Sequence, residues 1–488
     1  MASAYPHLHV VIICDDAPYD LWPLTRQGSP RDLVTIQGDE ASLLARMVSS
    51  CLPLTDAPVH IICSPRMVET YRDHLIADAD DDAGEPDAGK PARGMFASDR
   101  IDLVGVPTTG RSALPLALIA ADLKLADPLA CILVLRSGIR FAGDEIWEAA
   151  VLHAYQAAEK GHIALIGVPP TPGMTVSRHG FIRQAAPLPD IDGVFRVAEF
   201  TMHPKGSLLA RLQNPRTHWY SGISLMRASV LLGEVHARHD LPAPASDIAR
   251  ISDVAGFLAS LGRPHWTRPD ALDVISTLPA ISLEEGVLEA SEQLVVVASS
   301  LAWQDISSPE AIDELASPDA NGNRLTGNSC AELAEGTTVY AGSRLVAALG
   351  TKDLLVVDAD DVTLIAHKDE LDRFDLLVDN LKRRQAPELQ EAPVSWFAWG
   401  KVEKLRREQL FSAYRVEVSR GAATPRTSRN DVVEQYTVVS GTGRLRIGSR
   451  NHHLEPQTIL TVKPGEFRSI EADAQSPLVA IVVRTPLP

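Results

Sequence analysis

The sequence is poor in the features that mark secreted, membrane-spanning and nucleic-acid-binding proteins. Its five cysteines are odd in number and form no CxxC pair, so neither a disulfide framework nor a zinc cluster is expected. No apolar run reaches the roughly 18 residues that a bilayer requires, and the start MASAYPHLHVVIICDD lacks the basic region of a signal peptide. A net charge of −17 offers no basic footprint for nucleic acid. We therefore expect a cytoplasmic protein with neither a membrane nor a nucleic acid as partner.

The first part of the chain alternates short apolar runs with helical patterns. The runs are separated by stretches such as Leu114–Leu123 and Ile146–Glu159, in which apolar residues recur every three to four positions. Strands separated by helices favour a mainly parallel, doubly wound sheet, because parallel strands need long crossover connections. The predicted strands are His9–Cys14, Val59–Cys63, Ile101–Val106, Cys131–Leu135 and Ile163–Val168.

Two β-rich regions follow. Short strand-like runs begin at Leu294–Val297 and continue to Val362–Ala366, and a linker-like segment, Gln385–Pro393, separates them from the last part of the chain. There the pattern is purely β, and Tyr436–Val439 and Arg444–Ile447 flank the hairpin turn SGTG. About 95 residues of short strands with Gly and Pro turns predict a small barrel or jelly roll.

Five segments, taken in order, resemble the motifs of one enzyme family. They are LWPLTR (Leu21–Arg26), GRSALPLALIAA (Gly110–Ala121), HWYSGISLMRASVLL (His218–Leu232), KDLLVVDADDVTLIA (Lys352–Ala366) and EQYTVVSGTG (Glu434–Gly443). Each resembles a motif of the two-part mannose-1-phosphate guanylyltransferases that carry a C-terminal type II mannose-6-phosphate isomerase cupin. Any one match is weak, and it is their order along the chain that carries the resemblance.

The resemblance implies three structural regions and one reaction. A Rossmann-like α/β nucleotidyltransferase domain is expected over residues 1–290, a β-rich, left-handed β-helix-like connecting region over 291–384, and a cupin-like β-barrel over 394–488. In the family, mannose 1-phosphate attacks the α-phosphate of GTP, giving GDP-mannose and pyrophosphate, with Mg²⁺ bridging phosphate oxygens. The expected ligand is therefore a nucleotide or nucleotide sugar, and a protein partner or a second copy of the chain stays open.

The nucleotide loop departs from the family pattern. Where the family has glycines, this chain has Asp15, Asp16 and Pro18, and where the family has an arginine, this chain has Asp20. Glycines let backbone N–H groups approach a triphosphate, whereas carboxylates repel it by roughly 4 kcal/mol for unit charges about 4 Å apart at a partly exposed site. The resemblance nevertheless places a nucleotide against Asp15, Asp16, Leu21, Trp22, Gly110, Arg111 and Pro115.

Cations, metal ligands and sugar-pocket residues follow from the same resemblance. Arg26 and Arg31 keep positive charge where the family uses it in catalysis. One metal-binding aspartate of the family falls at Gly138, whereas Asp305 matches the second. Mg²⁺ is thus implied by the family, although one residue that should hold it is missing. The implied sugar pocket contains Tyr220, Ser221, Gly222 and Glu289.

The cupin pattern has lost most of its metal ligands. Glu434 matches one of them, whereas Thr427, Arg429 and Phe467 stand where the family has a glutamine and two histidines. One carboxylate without imidazoles is not a zinc or transition-metal site, so neither a cupin metal nor isomerase activity is expected.

Two classes of function remain open. The first hypothesis is a mannose-1-phosphate guanylyltransferase-like protein of GDP-mannose metabolism with weak or no catalysis, because losing one charge-stabilising cation in phosphoryl transfer costs about 10³–10⁵ in rate. One alternative is a fully non-catalytic subunit that binds a nucleotide sugar or regulates polysaccharide synthesis. A second alternative is an active, divergent guanylyltransferase.

Overall fold

The computed structural model describes residues 5–14, 19–27, 29–36, 41–76, 95–107, 112–170, 180–202, 216–237, 245–278, 280–313, 315–359, 361–397 and 399–487. The chain divides into two units. The first comprises Met1–Leu21 and Pro30–Leu315, and the second comprises Trp22–Ser29 and Ala316–Pro488. A short segment near the N-terminus therefore belongs to the second unit.

A nine-stranded sheet forms the centre of the first unit. The strands of this unit are β1 (Leu8–Ile13), β2 (Val59–Cys63), β3 (Ile101–Gly105), β4 (Cys131–Arg136), β5 (Ile139–Ala142), β6 (Ile163–Val168), β7 (Gly180–Pro187), β8 (Val194–Thr201), β9 (Thr217–Arg227), β10 (Leu294–Ala298) and β11 (Ala302–Asp305). Within the described residues the sheet order is β3-β2-β1-β4-β9-β6-β10-β8-β7, and β5 and β11 pair separately as a ribbon. β1 runs parallel to β2 and β4, and β10 runs parallel to β6, so the predicted mainly parallel sheet is confirmed.

Helices cover both faces of this sheet. They are α1 (Leu43–Cys51), α2 (Val68–Leu75), α3 (Ala113–Ala126), α4 (Asp144–Glu159), α5 (Ala228–His236), α6 (Ala245–Leu261), α7 (Pro269–Ser276), α8 (Leu283–Gly286) and α9 (Pro309–Asp313). α3 is apolar nearly all round because it lies between the sheet and the helices α5 and α6. Within the stretches that the structure describes, no helix combines the length and the apolar character needed to cross a bilayer.

One strand lies elsewhere than its sequence neighbours suggest. Leu294–Val297, which we place from sequence in the connecting region, forms β10 and sits inside the nine-stranded sheet between β6 and β8. Its four residues are buried on both faces, as in a central strand. The first unit therefore extends past residue 290, to Leu315.

The second unit begins with a β-helix. Its strands are β12 (Arg324–Thr326), β13 (Ser329–Glu332), β14 (Thr338–Tyr340), β15 (Val346–Leu349), β16 (Leu354–Asp358) and β17 (Thr363–His367), followed by α10 (Phe374–Arg383). β12, β14 and β16 stack in parallel, and β13 and β15 do the same on another face. Parallel stacking of strands one coil apart defines a β-helix, so the predicted β-helix-like region is confirmed.

Two antiparallel sheets complete the second unit. The strands are β18 (Val394–Phe397), β19 (Gly400–Arg407), β20 (Ser412–Val418), β21 (Val432–Ser440), β22 (Gly443–Ile447), β23 (Arg450–Leu454), β24 (Ile459–Val462), β25 (Arg468–Ala472) and β26 (Leu478–Pro486). One sheet has the order β18-β19-β20-β26-β21-β24 and the other β23-β22-β25. Both contribute to one core, with Val418 and Val482 from the first sheet and Leu445 and Ile470 from the second. This is the predicted cupin-like fold.

The SGTG turn joins β21 to β22, but the predicted hairpin is wrong, because these two strands belong to different sheets and the turn carries the chain from one sheet to the other. Gly441 in this turn has φ +80, and a Cβ there would lie 2.1 Å from the carbonyl oxygen of Pro477. Only glycine fits such a position, so the turn is specified by its sequence.

A partly buried polar cluster lies on one face of the parallel strands. His60 on β2 bonds Asp102 on β3, with 2.6 Å between Nδ1 and Oδ2. Arg263 bonds the same carboxylate and also donates from Nε to Asp122 of α3 at 2.8 Å. The His9 ring, on β1, stands 5.7 Å from the His60 ring, centroid to centroid. Protonation of His9 is therefore unfavourable, because the positive charge of Arg263 lies nearby.

Burial, together with the nearby His60, Arg263 and His7, lowers the pKa of His9 to about 4, whereas Asp127 opposes the shift. The ordinary histidine pKa of about 6.5 applies to the unfolded chain. The native state consequently binds fewer protons than the unfolded chain between these values. The contribution of neutral His9 to the stability of the native state is fully present above about pH 6.5 and is lost as the pH falls towards 4.

Replacing His9 by glutamine is expected to flatten this pH dependence. Between pH 7 and pH 4.5 the free energy of unfolding of the natural chain should fall by about 2 kcal/mol more than that of His9→Gln, a value reduced for partial exposure. Urea unfolding at both pH values measures the difference. The exposed His453→Gln is the control and should behave like the natural chain. Equal slopes for all three proteins would contradict the prediction.

Candidate functional site

A surface cavity in the first unit is lined by three of the four predicted sugar-pocket residues. Tyr220, Ser221 and Gly222 of β9 line it, and Arg31 and Asp305 line it from other segments. The structure thus brings together predicted site residues from three separate segments of the chain. Arg136, at the end of β4, and Trp303 also line the cavity, although neither was among the predicted site residues.

The side chain of Arg31 fills the space in front of Gly138. Gly138 has φ +81, and a Cβ built on it would lie 2.5 Å from Nε and 2.9 Å from Cζ of Arg31. Atoms do not approach that closely, so any side chain at position 138 would displace the guanidinium. The aspartate that the resemblance expects here, as a metal ligand, therefore has neither its residue nor its space, and the described residues do not fit the family's metal at this point.

Ionic and polar contacts fix Arg31 in this position. It is 2% exposed, and its Nη1 donates to Oδ2 of Asp20 at 2.8 Å. Its Nη2 points to the carbonyl oxygen of Ser137 at 3.5 Å. Asp20 is the residue that stands at the family's loop arginine, so its carboxylate neutralises a cation of this protein rather than facing a polyphosphate alone.

Behind Arg31 lies a buried pair that the sequence did not reveal. Tyr71 of α2 donates its hydroxyl hydrogen to Oδ2 of Asp32 at 2.6 Å, and both residues are fully buried. Burial raises the pKa of the Tyr71 hydroxyl, and the Asp32 charge raises it further. Burial also raises the pKa of the Cys14 thiol nearby, so this thiol is protonated at neutral pH and is a poor nucleophile.

The sugar-pocket residues of β9 are held by the core. The Tyr220 ring packs edge-on against Phe200, with centroids 5.4 Å apart, and burial raises the pKa of its hydroxyl. The Ser221 hydroxyl donates to the carbonyl oxygen of Ile166 at 2.8 Å. The Ser221 carbonyl accepts from Nε1 of Trp303 at 2.9 Å. These bonds make β9 a rigid wall, while the roles predicted for its side chains in sugar binding remain predictions.

Two predicted carboxylates stand at different places. Asp305 ends β11 and pairs with Ile139 of β5, which places it on the cavity. Glu289 accepts the backbone N–H of Met202 at 2.6 Å, and Met202 in turn lines the cavity. Across the part of the chain that the structure describes, no three His, Cys, Asp or Glu side chains are grouped so that they could hold a metal.

Arg26 belongs to the second unit. It is 1% exposed. Its guanidinium donates two hydrogen bonds to the Asp361 carboxylate, from Nη2 to Oδ1 at 2.7 Å and from Nη1 to Oδ2 at 3.2 Å. Nη1 also donates to the carbonyl of Glu391 at 2.9 Å, and Nε donates to that of Pro23 at 3.1 Å. Its catalytic role stays a prediction, but the structure places its charge in a partly buried ion pair.

The other nucleotide-binding predictions are divided between described and undescribed residues. Leu21 and Trp22 are 1% and 4% exposed, and Nε1 of Trp22 donates to the carbonyl of Glu388 within the second unit. Pro115 is buried in the first turn of α3. Four predicted residues lie outside the described residues: Asp15, Asp16, Gly110 and Arg111.

In the cupin, Glu434 is enclosed by cations. It is 2% exposed and forms an ion pair with Arg468 of β25. The Arg468 Nε lies 2.5 Å from Oε2, and its Nη2 donates to Oε1 at 2.9 Å. Arg484 of β26 donates to the same Oε1 at 2.8 Å, and the Tyr436 hydroxyl donates to Oε2 at 3.2 Å. Nη1 of Arg468 reaches the hydroxyl of Thr427 at 2.7 Å. Both oxygens of the one remaining carboxylate are thus used within the protein.

Comparison with known proteins agrees with this architecture. The family model of the MannoseP isomerase/GMP-like beta-helix domain matches residues 333–381. A mannose-1-phosphate guanylyltransferase of Klebsiella pneumoniae is 24% identical, over 97% of this chain and 95% of its own. The xanthan biosynthesis protein XanB of Xanthomonas campestris is 25% identical over the same shares.

A solved structure shares the fold. It is the crystal structure from Thermus thermophilus described as a mannose-1-phosphate geranyltransferase, with a TM-score of 0.62 and 21% identity, covering 77% of this chain and 99% of that one. The motif order, the β-helix match and the near full-length similarity agree with one another. The chain is therefore similar over nearly its whole length to proteins named mannose-1-phosphate guanylyltransferase.

Proposed function

We propose that this chain is a mannose-1-phosphate guanylyltransferase-like protein of GDP-mannose and nucleotide-sugar metabolism in which guanylyl transfer is weak or absent. The similarity to a guanylyltransferase over nearly the whole chain supports the substrate class. The cavity lined by Tyr220, Gly222 and Asp305 is the place for the sugar phosphate or nucleotide sugar. The ligand would lie against the rigid wall that β9 presents.

The main support for weak or absent guanylyl transfer is the position of the Arg31 side chain over Gly138. A carboxylate that should help to hold Mg²⁺ is replaced by a residue without a side chain, and the space is filled by a guanidinium. A second charge, that of Arg26, is committed to Asp361 within the second unit. Weak metal retention, together with the commitment of the Arg26 charge to Asp361, leaves the developing charge of phosphoryl transfer poorly stabilised.

The non-catalytic alternative has its own support. The Xanthomonas relative is named for xanthan biosynthesis, which places relatives of this chain in polysaccharide synthesis. A protein that binds a nucleotide sugar without turning it over would fit a regulatory subunit in such a system. In the cupin, the enclosure of Glu434 by Arg468 and Arg484 supports the absence of isomerase chemistry.

The direct test is pyrophosphate release. Purified protein with GTP, Mg²⁺ and mannose 1-phosphate should turn over at roughly 10⁻² s⁻¹ or below, because the lost groups reduce a typical rate of about 10 s⁻¹ by about 10³ or more. The same assay without mannose 1-phosphate supplies the background, and the complete reaction should rise little above it. Turnover in the ordinary range of roughly 1–10³ s⁻¹ would contradict weak or absent transfer. Calorimetry with GDP-mannose should show binding, and no heat at millimolar ligand would contradict nucleotide-sugar recognition.

A further inference from the structure

We infer that the cavity binds its ligand without a divalent cation, because the Arg31–Asp20 ion pair occupies the place at which a metal-binding carboxylate would project. The inference rests on the proposed function for the ligand, a sugar phosphate or a nucleotide sugar. It concerns how the negative charge of that ligand is neutralised, and it separates this chain from a protein that needs Mg²⁺ to hold its substrate.

The guanidinium of Arg31 is buried and paired with a carboxylate. Arg31 is 2% exposed, and its ion pair with Asp20 measures 2.8 Å. Its guanidinium already touches the space above Gly138, where a Cβ would lie 2.5 Å from Nε. To admit a divalent cation there, the protein would have to move a buried positive charge away from its carboxylate. Two cations at one point repel, and low exposure leaves little solvent to screen them.

The other described groups of the cavity do not replace the missing ligand set. Asp305 is the carboxylate among the described lining residues, and a single carboxylate holds Mg²⁺ only with the help of substrate phosphates. Its strand partner is Ile139, an apolar residue that also lines the cavity. Elsewhere in the described stretches no group of three acidic, histidine or cysteine side chains supplies a metal site.

Two arginines can perform the neutralising role instead. Arg31 and Arg136 both line the cavity, from the turn before α1 and from the end of β4. Guanidinium groups bind phosphate oxygens through charge-assisted hydrogen bonds in a planar fork, and they remain charged at every relevant pH. A phosphate monoester of a sugar or the diphosphate of a nucleotide sugar suits two such groups.

Calorimetry in two buffers tests the inference. Mannose 1-phosphate and GDP-mannose are titrated into the full chain with excess EDTA and, separately, with millimolar Mg²⁺. The dissociation constants should agree within about threefold, less than the tenfold that 1.4 kcal/mol represents. A tenfold or greater weakening in EDTA would overturn the metal-independent site and leave the proposed function standing. Absence of binding in both buffers would overturn both.

Arginine variants identify the groups that replace the metal. Arg31→Met should weaken binding by about tenfold or more in both buffers, and Arg31→Lys should recover part of it, since the charge returns without the fork. Arg46→Met, an exposed arginine on α1 away from this cavity, is the matched control and should bind as the natural chain does. Arg136→Met gives the same readout if Arg31→Met does not fold. Unchanged binding in both Arg31→Met and Arg136→Met would overturn the inference.

A direct metal probe completes the experiment. Mn²⁺ is titrated into the full chain without any nucleotide and followed by electron paramagnetic resonance, in which bound and free ions give different signals. The natural chain should show no site tighter than the millimolar range. A micromolar Mn²⁺ site whose occupation tightens GDP-mannose binding would overturn the inference, whichever residues supply the ligands.

Discussion

Replacing Glu434 by alanine is expected to lower the free energy of unfolding of the second unit by about 3–5 kcal/mol, because removing one partner leaves buried charge uncompensated. The carboxylate is 2% exposed and lies between the guanidiniums of Arg468 and Arg484, whose side chains are 7% and 19% exposed. Without it, two positive charges of like sign would face each other with little access to water. Glu434→Gln keeps the shape and loses the charge, so it should fall between alanine and the natural residue.

Exposed ion pairs provide the control for this experiment. Glu471 pairs with Arg444 at 2.7 Å, and their side chains are 48% and 55% exposed. Pairs of this kind contribute about 0–1 kcal/mol, so Glu471→Ala should change the unfolding free energy little. Urea unfolding gives the magnitude, and hydrogen exchange of β21 and β26 locates it within the second unit. Equal losses for Glu434→Ala and Glu471→Ala would contradict the buried-network interpretation.

Replacing Arg26 by methionine is expected to destabilise the second unit by about 2–4 kcal/mol. The change leaves the Asp361 carboxylate without its bidentate partner, and it leaves the carbonyls of Glu391 and Pro23 without a donor. A buried or half-buried acceptor that loses its donor costs about 1–3 kcal/mol, and more when it is charged. Thermal and urea unfolding of the full chain measure the loss.

A double-mutant cycle shows whether Asp361 is the cause. Asp361→Asn should destabilise less than Arg26→Met, and the double variant should lose less than the sum, with a coupling of about 1–3 kcal/mol. Arg407→Met, whose side chain is 55% exposed and pairs with Glu391, is the surface control. If Arg26→Met left stability unchanged but abolished a measurable pyrophosphate release, the catalytic role first suggested by the motif would be favoured instead.

The elements with the clearest local signals could be predicted closely. Val59–Cys63 and Ile163–Val168 were bounded correctly as β2 and β6, because continuous apolar runs between turn residues are typical of buried parallel strands. Leu294–Val297 has the same local character, so its type was predictable but its neighbours were not. Its place beside β6 depends on pairing with residues about 130 positions earlier, which local pattern does not encode.

The candidate site could be predicted only in part for the same reason. Charge and motif position single out Arg31, but its place over Gly138 depends on a left-handed backbone and on Asp20, and neither is visible in residue types. Tyr220 was recognised by its position in a motif, whereas the edge-on packing against Phe200 is a tertiary property. The Asp361 partner of Arg26 could not be found from sequence, since nothing in either segment marks the other.

The membership of Trp22–Ser29 in the second unit has a consequence for protein synthesis. Arg26 leaves the ribosome 335 residues before Asp361, its partner. At the usual elongation speed of about 5–20 residues per second, Asp361 is synthesised roughly 20 to 70 s after Arg26, so the segment has no partner during that time. A fragment that stops at Leu315 never makes that site, and a fragment that starts at Ala316 lacks the segment that fills it, so neither half of the gene encodes a complete module.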